Sequence, residues 1–228
     1  MKILKWTSIV LVGLVVIIFI AVKIASKPLP EGEQGPTAEA LTDKMLAAIN
    51  QSAYDQLNYL EWTFRGAHHF SWNKRANTVV VKWDDFEVNL SPDNLTGTAT
   101  QGGVALSGEM LNEAIQKAWA FFANDSFWLV APYKVRDPGT SRTLVETEEG
   151  PALLITYSSG GVTPGDSYLW YLDETGRPTA WEMWTSIIPL QGMRVSWEGW
   201  VQHGGAWFAP DHQGPGPVAV PITIHRIE

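Results

Sequence analysis

The 228 residues contain no cysteine. That absence rules out disulfides, a thiolate nucleophile, cysteine metal ligands and the lipid-bearing cysteine of a bacterial lipoprotein. It does not choose a compartment, because a reducing interior and an exported fold held by packing alone both tolerate it. Positive charge is scarce as well. Four of the 16 Lys and Arg (Lys2, Lys5, Lys23, Lys27) fall in the first 27 residues, and all 24 Asp and Glu come later, so the remainder carries a net charge of −12. Phosphate-backbone binding rests on clustered cations, and no basic stripe exists here; nucleic acid is excluded as a partner. An acidic body is also repelled by anionic headgroups.

Catalytic signatures are missing too. No G-x-S-x-G elbow occurs, and Gly160-Gly161-Val162-Thr163-Pro164-Gly165 lacks the Lys and the following helix of a phosphate loop. His68 and His69 are neighbours, so on a strand they project to opposite faces. His203, His212 and His225 are scattered. Asp84, Asp85 and Glu87 offer too few oxygens for a hard cation and read as a solvated strand end. The sequence therefore predicts no metal, no cofactor and no catalytic residue. A hydrolase would need a convergent Asp/His/Ser site that spacing does not assemble.

What is present begins with an apolar run over residues 9–22, flanked by Lys2 and Lys5 before it and Lys23 and Lys27 after it. A bilayer core takes roughly 20 apolar residues, so residues 1–27 read as one transmembrane signal-anchor. The competing reading is a cleaved leader, which ends in a small-x-small site; Ala21 and Ala25 are four apart with Lys23 between them. The expected location is a single-pass inner (cytoplasmic) membrane protein with its body in the periplasm or outside the cell, attached to the membrane through that helix, or a secreted protein if the leader is removed. Residues 28–36, rich in Pro and Gly, read as a tether. Residues 37–228 suit a single domain.

Within that body, Leu41, Met45, Ala48 and Ile49 have helical spacing over residues 37–50, which extends toward 60. Alternating apolar residues then predict strands over 62–72, 78–83 and 86–90, with 95–103 as a loop or irregular hairpin. Ser107 opens a second helix, whose stripe of Leu111, Ala114, Ile115, Ala118, Trp119 and Phe122 ends near 124. Strands follow over 142–146, 152–157, 166–172, 179–186, 194–201, 206–208 and 222–227. This order predicts an α+β, mostly β fold: one strongly curved antiparallel sheet, a half-barrel, wrapping amphipathic helices.

Two blocks stand out. The first holds Asn124-Asp125, Phe127-Trp128-Leu129, Pro132-Tyr133-Lys134 and Asp137-Pro138-Gly139; the second holds Gly161, Thr163-Pro164-Gly165-Asp166 and Tyr168. A W-E-x-W tetrapeptide occurs twice, at 181–184 and 197–200. Over about residues 60–208 this pattern resembles an uncharacterised bacterial family of exported proteins with a lipoprotein-carrier-like fold. The resemblance implies an apolar ligand between sheet and helices and no catalytic residues. The chain departs from that family in having an anchor without a cysteine. A tethered carrier cannot diffuse, which favours a receptor, acceptor or accessory role over shuttling.

Of 12 Trp, 11 lie beyond the first 27 residues. They either line a ligand pocket or fill the space between sheet and helices. The pocket candidates are Trp119, Phe122, Trp128, Tyr133, Tyr168, Trp170 and Trp184, with Trp181 beside them; Trp181 and Trp184 differ by three and face opposite sides of a strand. Asp125, Lys134, Arg136, Asp137 and Asp166 are candidates for a polar rim, or else hold turns together, with Lys134 or Arg136 pairing to Asp166. The expected function is a non-catalytic, membrane-anchored binding module for a lipid, an acyl chain or a lipoprotein. The alternative is an envelope interaction or scaffolding protein with a dry core.

Overall fold

The computed structural model describes residues 13, 14, 17, 20 and 22–228. The expected membrane span therefore lies largely outside the described residues, among which no helix is long and apolar enough to cross a membrane. Two short helices, α1 (Pro36–Ile49) and α2 (Gln51–Gln56), precede six strands: β1 (Tyr59–Phe64), β2 (His68–Asn73), β3 (Thr78–Trp83), β4 (Phe86–Ser91), β5 (Thr96–Gln101) and β6 (Val104–Ala105). Helix α3 (Gly108–Val130) runs into a 3-10 turn (Ala131–Lys134). Then come β7 (Thr140–Thr147), β8 (Gly150–Tyr157), β9 (Ser167–Leu172), β10 (Pro178–Trp184), β11 (Met193–Ser196), β12 (Val201–His203), β13 (Ala206–Phe208) and β14 (Ile222–Ile227).

The α+β class and the antiparallel pairing match the expectation; the single sheet does not. The strands divide between an open seven-stranded sheet (β14-β1-β2-β3-β4-β5-β6), a five-stranded sheet (β11-β10-β9-β8-β7) and the β12-β13 hairpin. The physical cause is the 23-residue α3, which interrupts the meander and starts a second one. Only β14 returns to the first sheet, pairing with β1. Splitting also relieves the twist that one very wide sheet would accumulate. Of the two readings for residues 95–103, loop or irregular hairpin, the structure shows the hairpin: β5 pairs along β4 and turns at Gly102-Gly103 into the short β6.

Alternation explains the seven-stranded sheet. Leu60, Trp62 and Phe64 of β1 and Val79, Val81 and Trp83 of β3 point inward, while their neighbours stay partly wet. Against that face α3 lays Ala114, Ile115, Ala118, Phe122 and Leu129, one stripe at spacings of three and four. The helix continues six residues past its expected end at 124. That extension carries Phe127, Trp128 and Ala131 onto a second cluster, with Leu153, Ile155, Trp170, Trp181 and Val195 of the five-stranded sheet.

The five-stranded sheet is apolar on its other face as well, through Ala152, Leu154, Leu169 and Trp184. Residues 26–33 reach that side. Lys27 Nζ pairs with buried Glu182 at 2.5 Å, and Trp184 Nε1 donates to the Lys27 carbonyl at 2.9 Å. Glu33 exchanges backbone bonds with Leu144 of β7 at 2.9 and 2.8 Å. From β10 to β7 is about 14 Å at strand spacing, and six extended residues cover roughly 20 Å. The expected free tether is thus a docked strap. Gly32 permits it, since a Cβ there would fall 2.1 Å from the Leu144 carbonyl oxygen.

His212 sits in the second cluster, edge-on to Trp197 (4.5 Å) and near Trp128 (5.5 Å), its Nδ1 donating to the Ser196 carbonyl at 3.0 Å. Burial lowers its pKa from 6.5 to about 4. Between those values the unfolded chain binds a proton that the folded one refuses, so this residue costs stability as pH falls from 6.5 toward 4, by up to about 3 kcal/mol. His212→Asn, whose amide can keep the bond to Ser196, should show a correspondingly shallower loss of stability in urea unfolding between pH 7 and 4.5. Equal slopes in both proteins would refute this.

Candidate functional site

The two motif blocks meet through backbone. Residues 124–139 form the last turns of α3, the 3-10 turn and the entry to β7; residues 158–166 are the loop between β8 and β9. Ser158 donates to the Gly139 carbonyl from both its N–H and its hydroxyl, each at 2.8 Å. Gly139 has φ 81°, and a Cβ on it would lie 2.0 Å from Ser159 Oγ, so any other residue here is strained and displaces that serine. Tyr157 N–H to the Asp166 carbonyl (2.9 Å) and Gly165 N–H to the Tyr157 carbonyl (2.7 Å) close the loop. The expected pairing of Lys134 or Arg136 with Asp166 is not formed. Lys134 pairs with Asp137, and Arg136 reaches Glu39 at 2.9 Å and Asp43 at 2.7 Å on α1.

Between these blocks lies a cavity of about 530 Å³, within the usual range for small-molecule sites. One wall is the α3 side chains Trp119, Phe122, Ala123, Phe127 and Trp128; another is Tyr157, Tyr168, Trp181 and Met183 from the five-stranded sheet. Trp72, Asn77, Pro92 and Asp93 close it from the seven-stranded sheet. Two loops contribute apolar residues beside these walls: Val162, 42% exposed, and Ile187, 60% exposed, followed by Ile188.

The structure gathers Trp119, Phe122, Trp128 and Tyr168 at this cavity, with Lys134, Asp137 and Asp166. The other candidates lie elsewhere. Tyr133 is buried, stacked on Tyr54 at 4.0 Å, its hydroxyl accepting from Trp207 N–H at 2.9 Å and facing the Ile49 carbonyl at 2.9 Å. Trp170 is fully buried, between Trp181 (4.9 Å) and Trp197 (5.0 Å), beneath the cavity floor. Trp184 is on the opposite face, under the strap. Arg136 is bound to α1, and Asp125 points away from the cavity. Trp72, Phe127, Tyr157, Met183, Ile187 and Ile188 line the cavity as well, beyond the residues expected from the sequence. Phe127 stood inside the first block and Met183 shares the parity of Trp181; for Trp72 and Tyr157 no local signal existed, because distant strands bring them in.

Asp125 is 2% exposed. Its Oδ2 lies 2.6 Å from His68 Nδ1 on β2, and Asn124 Nδ2 donates to its Oδ1 at 2.9 Å. Burial raises its pKa, opposed by those two hydrogen bonds. The His68 ring stacks on Phe121 at 3.8 Å. The pair clamps the end of α3 to the seven-stranded sheet. No Ser, Thr or Tyr hydroxyl bonds to His68 among the described residues.

Asp166 is 5% exposed and takes the Ser186 N–H on Oδ1 at 3.0 Å. Its Oδ2 has no hydrogen bond of ordinary length, although the Tyr168 hydroxyl lies beside that carboxylate; the buried hydroxyls of Thr185 and Tyr157 have no protein partner among the described residues. Burial, and next the Asp166 carboxylate, push the Tyr168 hydroxyl well above its ordinary pKa. Among the described residues no group of three or more His, Asp or Glu could hold a metal ion.

No protein-family profile matches this chain, and no curated protein does. Among solved structures it is similar to a DUF1329 family protein from Desulfovibrio piger, at 11% identity over 84% of this chain and 92% of that one, with a TM-score of 0.40.

Proposed function

We propose that this protein is a membrane-tethered, exported binding module that holds an apolar or amphiphilic ligand, a lipid or an acyl chain, in the cavity beside α3 and performs no chemistry on it. The observation that carries this reading is the aromatic-walled space of about 530 Å³ between the two sheets. A scaffold with a dry, filled interior has no use for such a space. A hydrolase reading meets the Asp125–His68 pair but finds no hydroxyl on it.

A second observation favours a ligand taken from the bilayer. Lys27 N–H donates to the Gln191 carbonyl at 2.9 Å, and Gln191 N–H donates to Ser26 Oγ at 3.2 Å. Residues 26–27 lie just beyond the apolar run, after Lys23, Ile24 and Ala25, and the loop they hold, 185–192, contributes Ile187 and Ile188 to the cavity. If residues 1–27 anchor the chain, the cavity stands next to the membrane surface, with exposed Ile187 and Val162 toward the lipid. A fixed acceptor or receptor for one amphiphile suits that arrangement better than a shuttle.

Organic extraction of the purified full-length chain, followed by mass spectrometry, should recover a co-purifying amphiphile in near-stoichiometric amount, and a fluorescent acyl probe should bind the emptied protein. A clean extract with no probe binding sinks the reading. The Trp side chains separate cavity from core. Trp170→Ala should cost roughly 3–5 kcal/mol as a buried truncation while leaving probe affinity of the folded fraction intact. Trp128→Ala should cost less, since part of its ring faces the cavity, and weaken the probe at least tenfold. The reverse pattern contradicts the placement.

A further inference from the structure

We propose that the ligand of this cavity carries a positively charged amine or ammonium head, with Asp166 as its counter-ion. The inference rests on the binding reading above and names the chemistry of what is bound. Among the described residues four charged side chains line the cavity: Asp93, Lys134, Asp137 and Asp166. Lys134 is already paired with Asp137, so the one lining cation is neutralised within the protein. Asp93, exposed, takes a hydrogen bond from Asn77 Nδ2 at 2.6 Å. Asp166 differs from both. It is 5% exposed, holds one backbone N–H on Oδ1, and has an enclosed Oδ2 with the Tyr168 hydroxyl beside the carboxylate and no cationic side chain on it among the described residues.

A buried carboxylate without a cation is costly, and one that lines a cavity can recover that cost from a ligand. Two features select the sign and shape of the head. The cavity's uncompensated charge is negative, which repels sulfate, phosphate and carboxylate heads. Its walls include the aromatic side chains Tyr157, Tyr168 and Trp181, Tyr168 being next to Asp166, and aromatic faces attract ammonium groups. Thr185 Oγ1 and the Tyr157 hydroxyl, both buried without partners, add acceptors for the N–H groups of a primary ammonium. The indoles of Trp119 and Trp128 then flank an acyl or alkyl tail along α3.

The test uses the full chain in phosphatidylcholine nanodiscs, with octylammonium, octanol and octanoate as probes of equal tail length, read by tryptophan fluorescence. Octylammonium should bind at least tenfold more tightly than octanol, and octanoate more weakly than either. Asp166→Asn should erase the preference for octylammonium over octanol while leaving octanol affinity in place. If that variant does not fold, the wild-type order decides alone. Octanol or octanoate binding as well as octylammonium, or an unchanged preference in Asp166→Asn, overturns the proposal while the cavity reading stands. Binding of none of the three overturns the cavity reading and this proposal with it. Adding phosphatidylethanolamine to the discs identifies the source: competition supports a lipid head, and its absence with octylammonium still bound supports a free alkylamine.

Discussion

The structure depends on the last two turns of α3 being gripped from both sides. On one side Asp125 is buried against His68 of β2, 2.6 Å away. On the other, Trp128 meets Trp181 of β10 edge-on at 5.1 Å, and Phe127 stacks near the same ring at 5.8 Å. The sequence N-D-S-F-W supplies both grips within five residues. A helix with one apolar stripe could satisfy only one sheet. Here the polar anchor faces the first sheet and the aromatic pair faces the second, so the helix end becomes the fixed spacer between them, and the cavity is the room left beside it.

Other features keep that spacing from collapsing. The Gly139–Ser158 contact joins the turn after the helix to the loop beyond β8, and the positive φ of Gly139 favours glycine there. The strap at 26–33 covers the outer face of the five-stranded sheet, so that this sheet, buried on both sides, has a defined position. Rigid aromatic walls matter for the same reason. Trp170, Trp181 and Trp197 interlock at centroid distances of 4.9–5.0 Å beneath the floor, which resists the inward shift that would fill an empty space.

The strands were largely legible because their alternation is local. The helix stripe through Phe122 was legible for the same reason, yet its end was placed six residues early. Asn124, Asp125 and Ser126 look like breakers, since such side chains compete for backbone hydrogen bonds; burial of Asp125 against a strand 57 residues away overrides that preference. The division into two sheets was not legible, because nothing local reports that β14 returns to β1. Among the candidate site residues, those inside the two blocks or on the α3 stripe mostly reached the cavity. Tyr133 and Trp184 did not: a tyrosine hydroxyl that bonds backbone carbonyls and a tryptophan capped by the strap look identical in sequence to their pocket-lining neighbours. The polar residues divided on the same grounds, by partners supplied from α1 for Arg136 and from β2 for Asp125.

If the space beside the α3 tail holds the ligand, filling it abolishes binding without unfolding the protein. Ala123 faces that space, so Ala123→Trp would plug it with little else disturbed. This variant should keep a urea midpoint near that of the parent and show no measurable binding of a fluorescent acyl probe. A folded variant that binds the probe with parental affinity would contradict it.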